Sequence, residues 1–188
     1  MRVPTAASRF STHRSNTFHA IASHRTMFTG PQVASFFQAL GITHVVTVPD
    51  STIGSWGDAL DDTPGISVVR VCREGEAWAI AGGLHLGGAT PMVLIQCTGL
   101  FESGDALRNM IYDWKLPLLS VIGYRSYLDQ STLPGDTCLT FTEPILDAWK
   151  LEYVLVAEAS GLDAAREHLM RCQAAGTAGV ALIAEGRA

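Results

Sequence analysis

From Met27 onward the chain alternates short apolar runs with amphipathic helical patterns, and that rhythm leaves few folds open. Val45, Val46, Thr47 and Val48 form a run without a charged face, stopped by Pro49. Met92 to Gln96, Leu118 to Ile122 and Val180 to Ile183 read the same way. A strand that is apolar on both faces needs cover on both faces, which only a sheet between helical layers supplies. The expectation is a doubly wound α/β domain whose mostly parallel sheet has about six strands, with helices on both faces.

The helices between the strands carry their own signals. Thr29 and Gln32 have capping-box spacing, Val33, Phe36, Phe37 and Leu40 then share one face, and Gly41 is a natural stop. Ser67 to Val71 reads as a strand, and Glu74 to Leu86 as a helix with Ala77, Ile80, Ala81 and Leu84 inward. Leu107, Met110, Ile111 and Trp114 mark the next helical face. Tyr124 to Thr140 is a polar excursion with a Pro134-Gly135 turn, and a short helix starts at Thr142. Tyr153 to Val156 is a strand, and Ser160 caps a helix bearing Leu162, Ala165 and Leu169.

Residues 1–26 differ from all that follows. They hold Arg2, Arg9, Arg14 and Arg25 but no acidic residue. A targeting segment, a disordered tail and an upstream start ahead of Met27 all account for this, so the fold is read over residues 27–188.

Composition removes several functions. A net charge of −5 gives no footprint for nucleic acid or anionic membrane, and no apolar run approaches the roughly 20 residues that span a bilayer. Only 16% of residues are charged, which suggests surface covered by another chain. Cys72, Cys97, Cys138 and Cys172 form no Cys-x-x-Cys pair, and the histidines are scattered. Four buried thiols in a reducing cytoplasm, with no metal centre, are the expectation. No Gly-x-Gly-x-x-Gly, P-loop or Gly-x-Ser-x-Gly elbow is present.

In such folds ligands bind where strands hand over to helices. Three of these turns stand out: Pro49-Asp50-Ser51-Thr52, Cys72-Arg73-Glu74-Gly75-Glu76 and Cys97-Thr98-Gly99-Leu100. Glu74 directly follows a buried strand. An acid there either complements the helix dipole or serves as a cleft carboxyl that exchanges a proton with a ligand. Glu76 competes with it from roughly 200° around the helix. Asp50 or Ser51 could simply cap the next helix, Thr98 and Gly99 could form an ordinary turn, and Arg125 could be a surface arginine.

Arg73-Glu74-Gly75-Glu76-Ala77-Trp78-Ala79-Ile80-Ala81-Gly82-Gly83, an apolar strand and then Cys97-Thr98-Gly99-Leu100 together resemble the pyrimidine-binding domain of thiamine-diphosphate decarboxylases. Pro49-Asp50-Ser51 and Pro117-Leu118-Leu119 fit the same pattern, closest to sulfopyruvate decarboxylase alpha subunits and the corresponding half of phosphonopyruvate decarboxylase. The resemblance implies that Glu74 is catalytic, bonding the aminopyrimidine ring nitrogen of thiamine diphosphate and favouring its imino tautomer. It also implies that Thr98, Gly99 and Leu100 line the cofactor pocket, and that Asp50, Ser51, Thr52 and Arg125 face a small 2-keto acid. Two segments depart from the family: Phe101-Glu102-Ser103-Gly104-Asp105 stands where Gly-Asn is usual, and Cys138-Leu139-Thr140-Phe141 where a histidine is common.

The family holds the diphosphate through Mg2+ with a Gly-Asp-Gly motif and a downstream asparagine. This chain has only Asn16 and Asn109, and nothing of that kind follows Gly135-Asp136-Thr137. The resemblance therefore implies a hetero-oligomer with a diphosphate-binding beta subunit that supplies the Mg2+ site. A carboligating enzyme subunit and a non-catalytic α/β binding or regulatory subunit are the alternatives.

Overall fold

In the computed structural model, which describes residues 27–50, 54–131 and 133–185, all six apolar runs become strands of one sheet. In chain order, α1 (Gly30–Ala39) is followed by β1 (His44–Thr47), α2 (Gly54–Asp61), β2 (Ser67–Arg70) and α3 (Glu74–Leu86). Next come β3 (Pro91–Gln96), α4 (Cys97–Glu102), α5 (Gly104–Arg108) and β4 (Leu119–Tyr124). The chain continues through α6 (Cys138–Ala148), β5 (Tyr153–Val156), α7 (Gly161–Ala175) and β6 (Gly179–Ala184). The strand order is β2-β1-β3-β4-β6-β5 and every pairing is parallel.

The period-two geometry of a strand explains the two cores. Val45, Met92, Leu94, Val121, Ala181 and Ile183 point to one face, where α1, α2 and α7 contribute Phe36, Phe37, Trp56, Leu60, Leu169 and Cys172. Their neighbours Val46, Val93, Ile95, Ile122, Val180 and Leu182 point to the other, against Ala77, Trp78, Leu100, Leu107 and Leu146. Both layers are dry enough that truncating a central residue such as Leu94 would cost about 2–5 kcal/mol. Among the described residues, no helix is long and apolar enough to cross a membrane.

Several local expectations change. The capping box of α1 is present, with Gln32 Oε1 accepting from the Thr29 amide at 2.9 Å. Ser160 occupies the N-cap position of α7 but makes no capping bond there. On α3 the buried face is Ala77, Trp78, Ala81 and Gly82, and Ile80 is 38% exposed. With Trp78 fully buried, Ile80, two residues on and roughly 200° around the helix, falls on the outer side. The helix expected around Leu107 to Trp114 begins much earlier, at Cys97, breaks at Ser103 and ends in a π-helical turn, Asn109–Asp113. Ser103 Oγ bonds back to the Gly99 carbonyl, which bends the helix there. Trp114 lies beyond the π turn and is exposed rather than inward. The polar excursion ends at Cys138, not Thr142, which lies one turn inside α6 with its Oγ1 donating back to the Cys138 carbonyl at 2.7 Å. Cys72 is exposed at the open end of an edge strand, so only Cys97, Cys138 and Cys172 are buried thiols.

Candidate functional site

The chain reverses direction across the sheet between β1 and β3: β2 lies on one side of β1, and the chain then crosses to β3 on the other. Such a switch point opens a crevice at the carboxyl ends of the strands. Two of the three sequence-selected turns are described in full there. From the first, Asp50 is half-buried and its carbonyl accepts the Gly54 amide at 3.0 Å, whereas Ser51 and Thr52 lie outside the described residues.

Beyond β2, Arg73 takes an extended conformation (φ −142°, ψ 144°) and α3 begins at Glu74. The two acids of this first turn behave differently. Glu76 reaches back, its Oε2 accepting the Cys72 amide at 3.2 Å, and so caps its own helix. Glu74, half-buried, is turned onto α4 and lies against the backbone of Gly99. Among the described residues no protein group hydrogen-bonds its carboxylate.

The β3–α4 junction supplies the other wall. Gln96 is extended (φ −89°, ψ 165°) and the helix starts at once, with Thr98 exposed and Gly99 and Leu100 buried. A Cβ on Gly99 would overlap Glu74 Cγ and lie 2.8 Å from Oε1. Glycine at this position lets Glu74 lie so close; its φ angle does not demand one. Glu102, one turn further, holds the two helices together. Its Oε2 accepts the Gly75 amide at 2.8 Å and its Oε1 accepts from Arg73 Nε at 3.0 Å. The Arg73 guanidinium, then the Gly75 amide, hold the Glu102 carboxyl below its ordinary range. Both acids of the segment that departs from the family pattern are thus paired within the protein, Glu102 with Arg73 and Asp105 with Arg108.

A second polar cluster lies under the ends of β3, β4 and β6. Gln96 Nε2 donates to Glu185 Oε2 at 3.2 Å, and the buried Glu185 carboxylate packs on Gly123, where any side chain would collide with it. Arg125 makes a bidentate pair with Asp136, at 2.8 Å and 2.9 Å, and its Nη2 also donates to Cys138 Sγ at 3.3 Å. Ser126 Oγ and the Cys138 amide complete the shell around Asp136. Arg125 first of all pulls the Asp136 carboxyl far below the usual aspartate value. Burial pushes the Cys97 thiol up and the Cys138 thiol up to about 12, so both stay protonated and unreactive.

Of the residues selected from sequence, the structure brings Glu74, Thr98, Gly99 and Leu100 to one crevice. Asp50 sits at the end of the neighbouring strand β1, and Arg125 is held by Asp136 at the other side. Sequence reasoning missed Glu185, Asp136 and the clamping role of Glu102. A buried acid closing an apolar strand was the available signal for Glu185. The other two show no pattern along the chain, because their partners are 11 and 29 residues away.

The family described as thiamine pyrophosphate enzyme, N-terminal TPP binding domain, matches residues 27–151. Sulfopyruvate decarboxylase subunit alpha of Methanococcus maripaludis is 26% identical over 113 residues, 60% of this chain and 68% of that subunit. The subunit of the same name from Methanothermobacter thermautotrophicus is 31% identical over 85 residues, 45% of this chain and 52% of the relative. Phosphonopyruvate decarboxylase of Streptomyces viridochromogenes is 25% identical over 122 residues, which span 64% of this chain but only 31% of that protein. Among solved structures, a protein from Mycobacterium smegmatis described as a thiamin diphosphate-dependent enzyme superposes with a TM-score of 0.60 at 22% identity. That overlap covers 84% of this chain and 31% of the other, and it establishes the fold.

Proposed function

The chain belongs to the family of thiamine pyrophosphate enzyme N-terminal TPP binding domains, and from that membership we propose that it is the pyrimidine-binding alpha subunit of a two-chain 2-keto acid decarboxylase. The observation that carries the reading is the Glu74 carboxylate, set on the Gly99 backbone and free of protein hydrogen bonds among the described residues. The neighbouring Glu76 and Glu102 are both engaged. The residues fit the cofactor: a carboxyl group and a wall without a side chain suit the edge of a flat nitrogen heterocycle, which Thr98 and Leu100 would flank.

When bound, thiamine diphosphate supplies the electron sink for loss of carbon dioxide. The protein's part is orientation and proton control. Glu74 holds a proton between its carboxyl oxygen and a ring nitrogen, and the Glu102 clamp keeps the start of α3 in position while it does so. Leu100, 1% exposed, keeps water from the wall behind it. The family resemblance assigns the 2-keto acid to the turn after β1, where Asp50 lies half-buried, and to Ser51 and Thr52 beyond it in sequence. Arg125 offers it Nη1, the arm not used by Asp136 or Cys138, which suits a sulfonate, phosphonate or carboxylate group. Asp136 is committed to Arg125 and is not a ligand for Mg2+, which a diphosphate-binding beta chain carrying a Gly-Asp-Gly motif and an asparagine would hold. The working unit is then a hetero-oligomer, and its three buried reduced thiols suit the cytoplasm.

Native mass spectrometry of the chain purified from its source, with and without thiamine diphosphate and Mg2+, tests the assembly. A hetero-oligomer that retains the cofactor is expected, and a homo-oligomer that binds it unaided would refute the split site. In the assembled complex, Glu74→Gln should lower decarboxylation of sulfopyruvate or phosphonopyruvate by about 100- to 10,000-fold. Unchanged turnover with assembly intact would make the chain a non-catalytic subunit.

A further inference from the structure

At the opposite end of the sheet from the crevice, His168 and Cys172 stand one turn apart on the same face of α7, both buried. Cys172 Sγ lies 3.7 Å from His168 Nε2, and a carboxylate oxygen of Glu152, just ahead of β5, completes a group of three donors within 4.8 Å of one another. We propose that Glu152, His168 and Cys172 form a binding site for a zinc-class divalent cation, separate from the Mg2+ of the cofactor.

The geometry is that of a coordination shell. Bonds of about 2.0–2.1 Å to nitrogen and about 2.3 Å to sulfur, set at a tetrahedral angle, put the two ligand atoms roughly 3.6 Å apart. The observed separation is 3.7 Å. The thiol is fixed in place: a Cβ on Gly179 would come within 2.8 Å of Sγ, so the sulfur lies directly on that backbone. The donors are mixed nitrogen, sulfur and oxygen, which favours zinc over the hard cations calcium and magnesium. Cys172 is also in the last turn of α7, where the helix dipole favours positive charge. Glu152 is exposed, so the fourth coordination position opens to solvent on its side.

Without the ion, His168 Nε2 sits 3.2 Å from the Glu152 carbonyl oxygen, which also accepts the Val180 amide at 3.0 Å. On binding, the ring proton moves to Nδ1, Nε2 turns its lone pair to the metal, and the Cys172 proton leaves to solvent. The carbonyl keeps its bond to Val180. The ion then ties α7 to the start of β5, an edge strand paired only with β6. The expected role is structural, and nothing in the decarboxylase reading depends on it.

The test is a Co2+ titration of the full chain, reduced and purified without chelator, followed by thiolate-to-cobalt absorption and then by Zn2+ competition. Wild type and Cys72→Ser, which removes the exposed thiol, should each bind about one equivalent with the sulfur band present. Cys172→Ser should lose the band. His168→Gln, which keeps a donor for the Glu152 carbonyl, and Glu152→Gln, at an exposed position, should each weaken binding by about tenfold or more. Absence of the sulfur band in wild type overturns the proposal, as does a band lost in Cys72→Ser but kept in Cys172→Ser. Should Cys172→Ser fail to fold, unchanged Co2+ affinity in both His168→Gln and Glu152→Gln overturns it equally.

Discussion

A methyl group on Gly99 would occupy the space now held by Glu74 Cγ, so the position of the carboxylate depends on a side chain that is not there. Gly99→Ala must therefore push Glu74 away or move α4 off α3. Because the half-buried Glu74 side chain can swing aside, the substitution should cost stability only at the low end for overpacking, about 1 kcal/mol. Its larger effect should be on turnover of the assembled complex, expected to fall by about 10- to 100-fold through misplacement of the carboxyl group, with far-UV circular dichroism unchanged. Full activity in Gly99→Ala would mean that the pose of Glu74 is not set by this contact. Glu74 and Glu76 illustrate what single residues leave open. Both are first-turn acids to a sequence reader, and only the tertiary contacts give one of them to the cap and the other to the crevice.

The helices end in ways that spacing predicts only in part. α7 stops at Gly176, which adopts φ 66°, while α6 ends in a closely similar turn with Lys150 at φ 51°. The amide of Leu151 bonds to the Leu146 carbonyl and that of Thr177 to the Cys172 carbonyl, each at 2.9–3.0 Å. This is the left-handed helix terminus that favours glycine. Opposite effects should follow from exchanging the residue types. Gly176→Ala is expected to destabilise by about 1 kcal/mol, and Lys150→Gly to stabilise by up to about 1 kcal/mol. Urea denaturation midpoints at neutral pH would show the two shifts. A destabilised Lys150→Gly would mean that the lysine side chain makes a contact worth more than the backbone strain.

Across the whole molecule, the loop between β4 and α6 is anchored by the Arg125–Asp136 ion pair. Asp136, with its side chain 2% exposed, accepts from Arg125, Ser126 and the Cys138 amide. Its folded-state pKa is depressed, chiefly by Arg125. A carboxyl of this kind contributes stability above its unfolded value of about 3.9, and loses it as pH falls toward the folded value. Global stability should therefore hold near neutrality and drop progressively below about pH 4–5. Asp136→Asn, which leaves the partly exposed Arg125 without its counter-charge, should cost about 1–3 kcal/mol near neutral pH and flatten that acid limb. Denaturation midpoints measured from pH 7 to 3 give the check, and an equally steep limb in the variant would assign the acid sensitivity to other carboxyl groups.

The layered fold was legible because it depends on local periodicity. Runs such as Val45 to Val48 and Val180 to Ile183 are apolar on both faces, and each needs helices on both sides whatever its neighbours. The turns that carry the site were legible for the same reason, since a parallel sheet puts its strand-to-helix junctions at one edge. Contacts between distant residues were not legible. Glu102 clamping α3, Asp136 holding Arg125 across its loop, and Glu152 meeting His168 and Cys172 each join residues whose spacing along the chain carries no pattern. His168 and Cys172 do have helical ligand spacing, but the four residues between them say nothing of a carboxylate arriving from β5. Periodicity decided which side chains go inside, whereas the pairing of strands decided which polar groups face one another there.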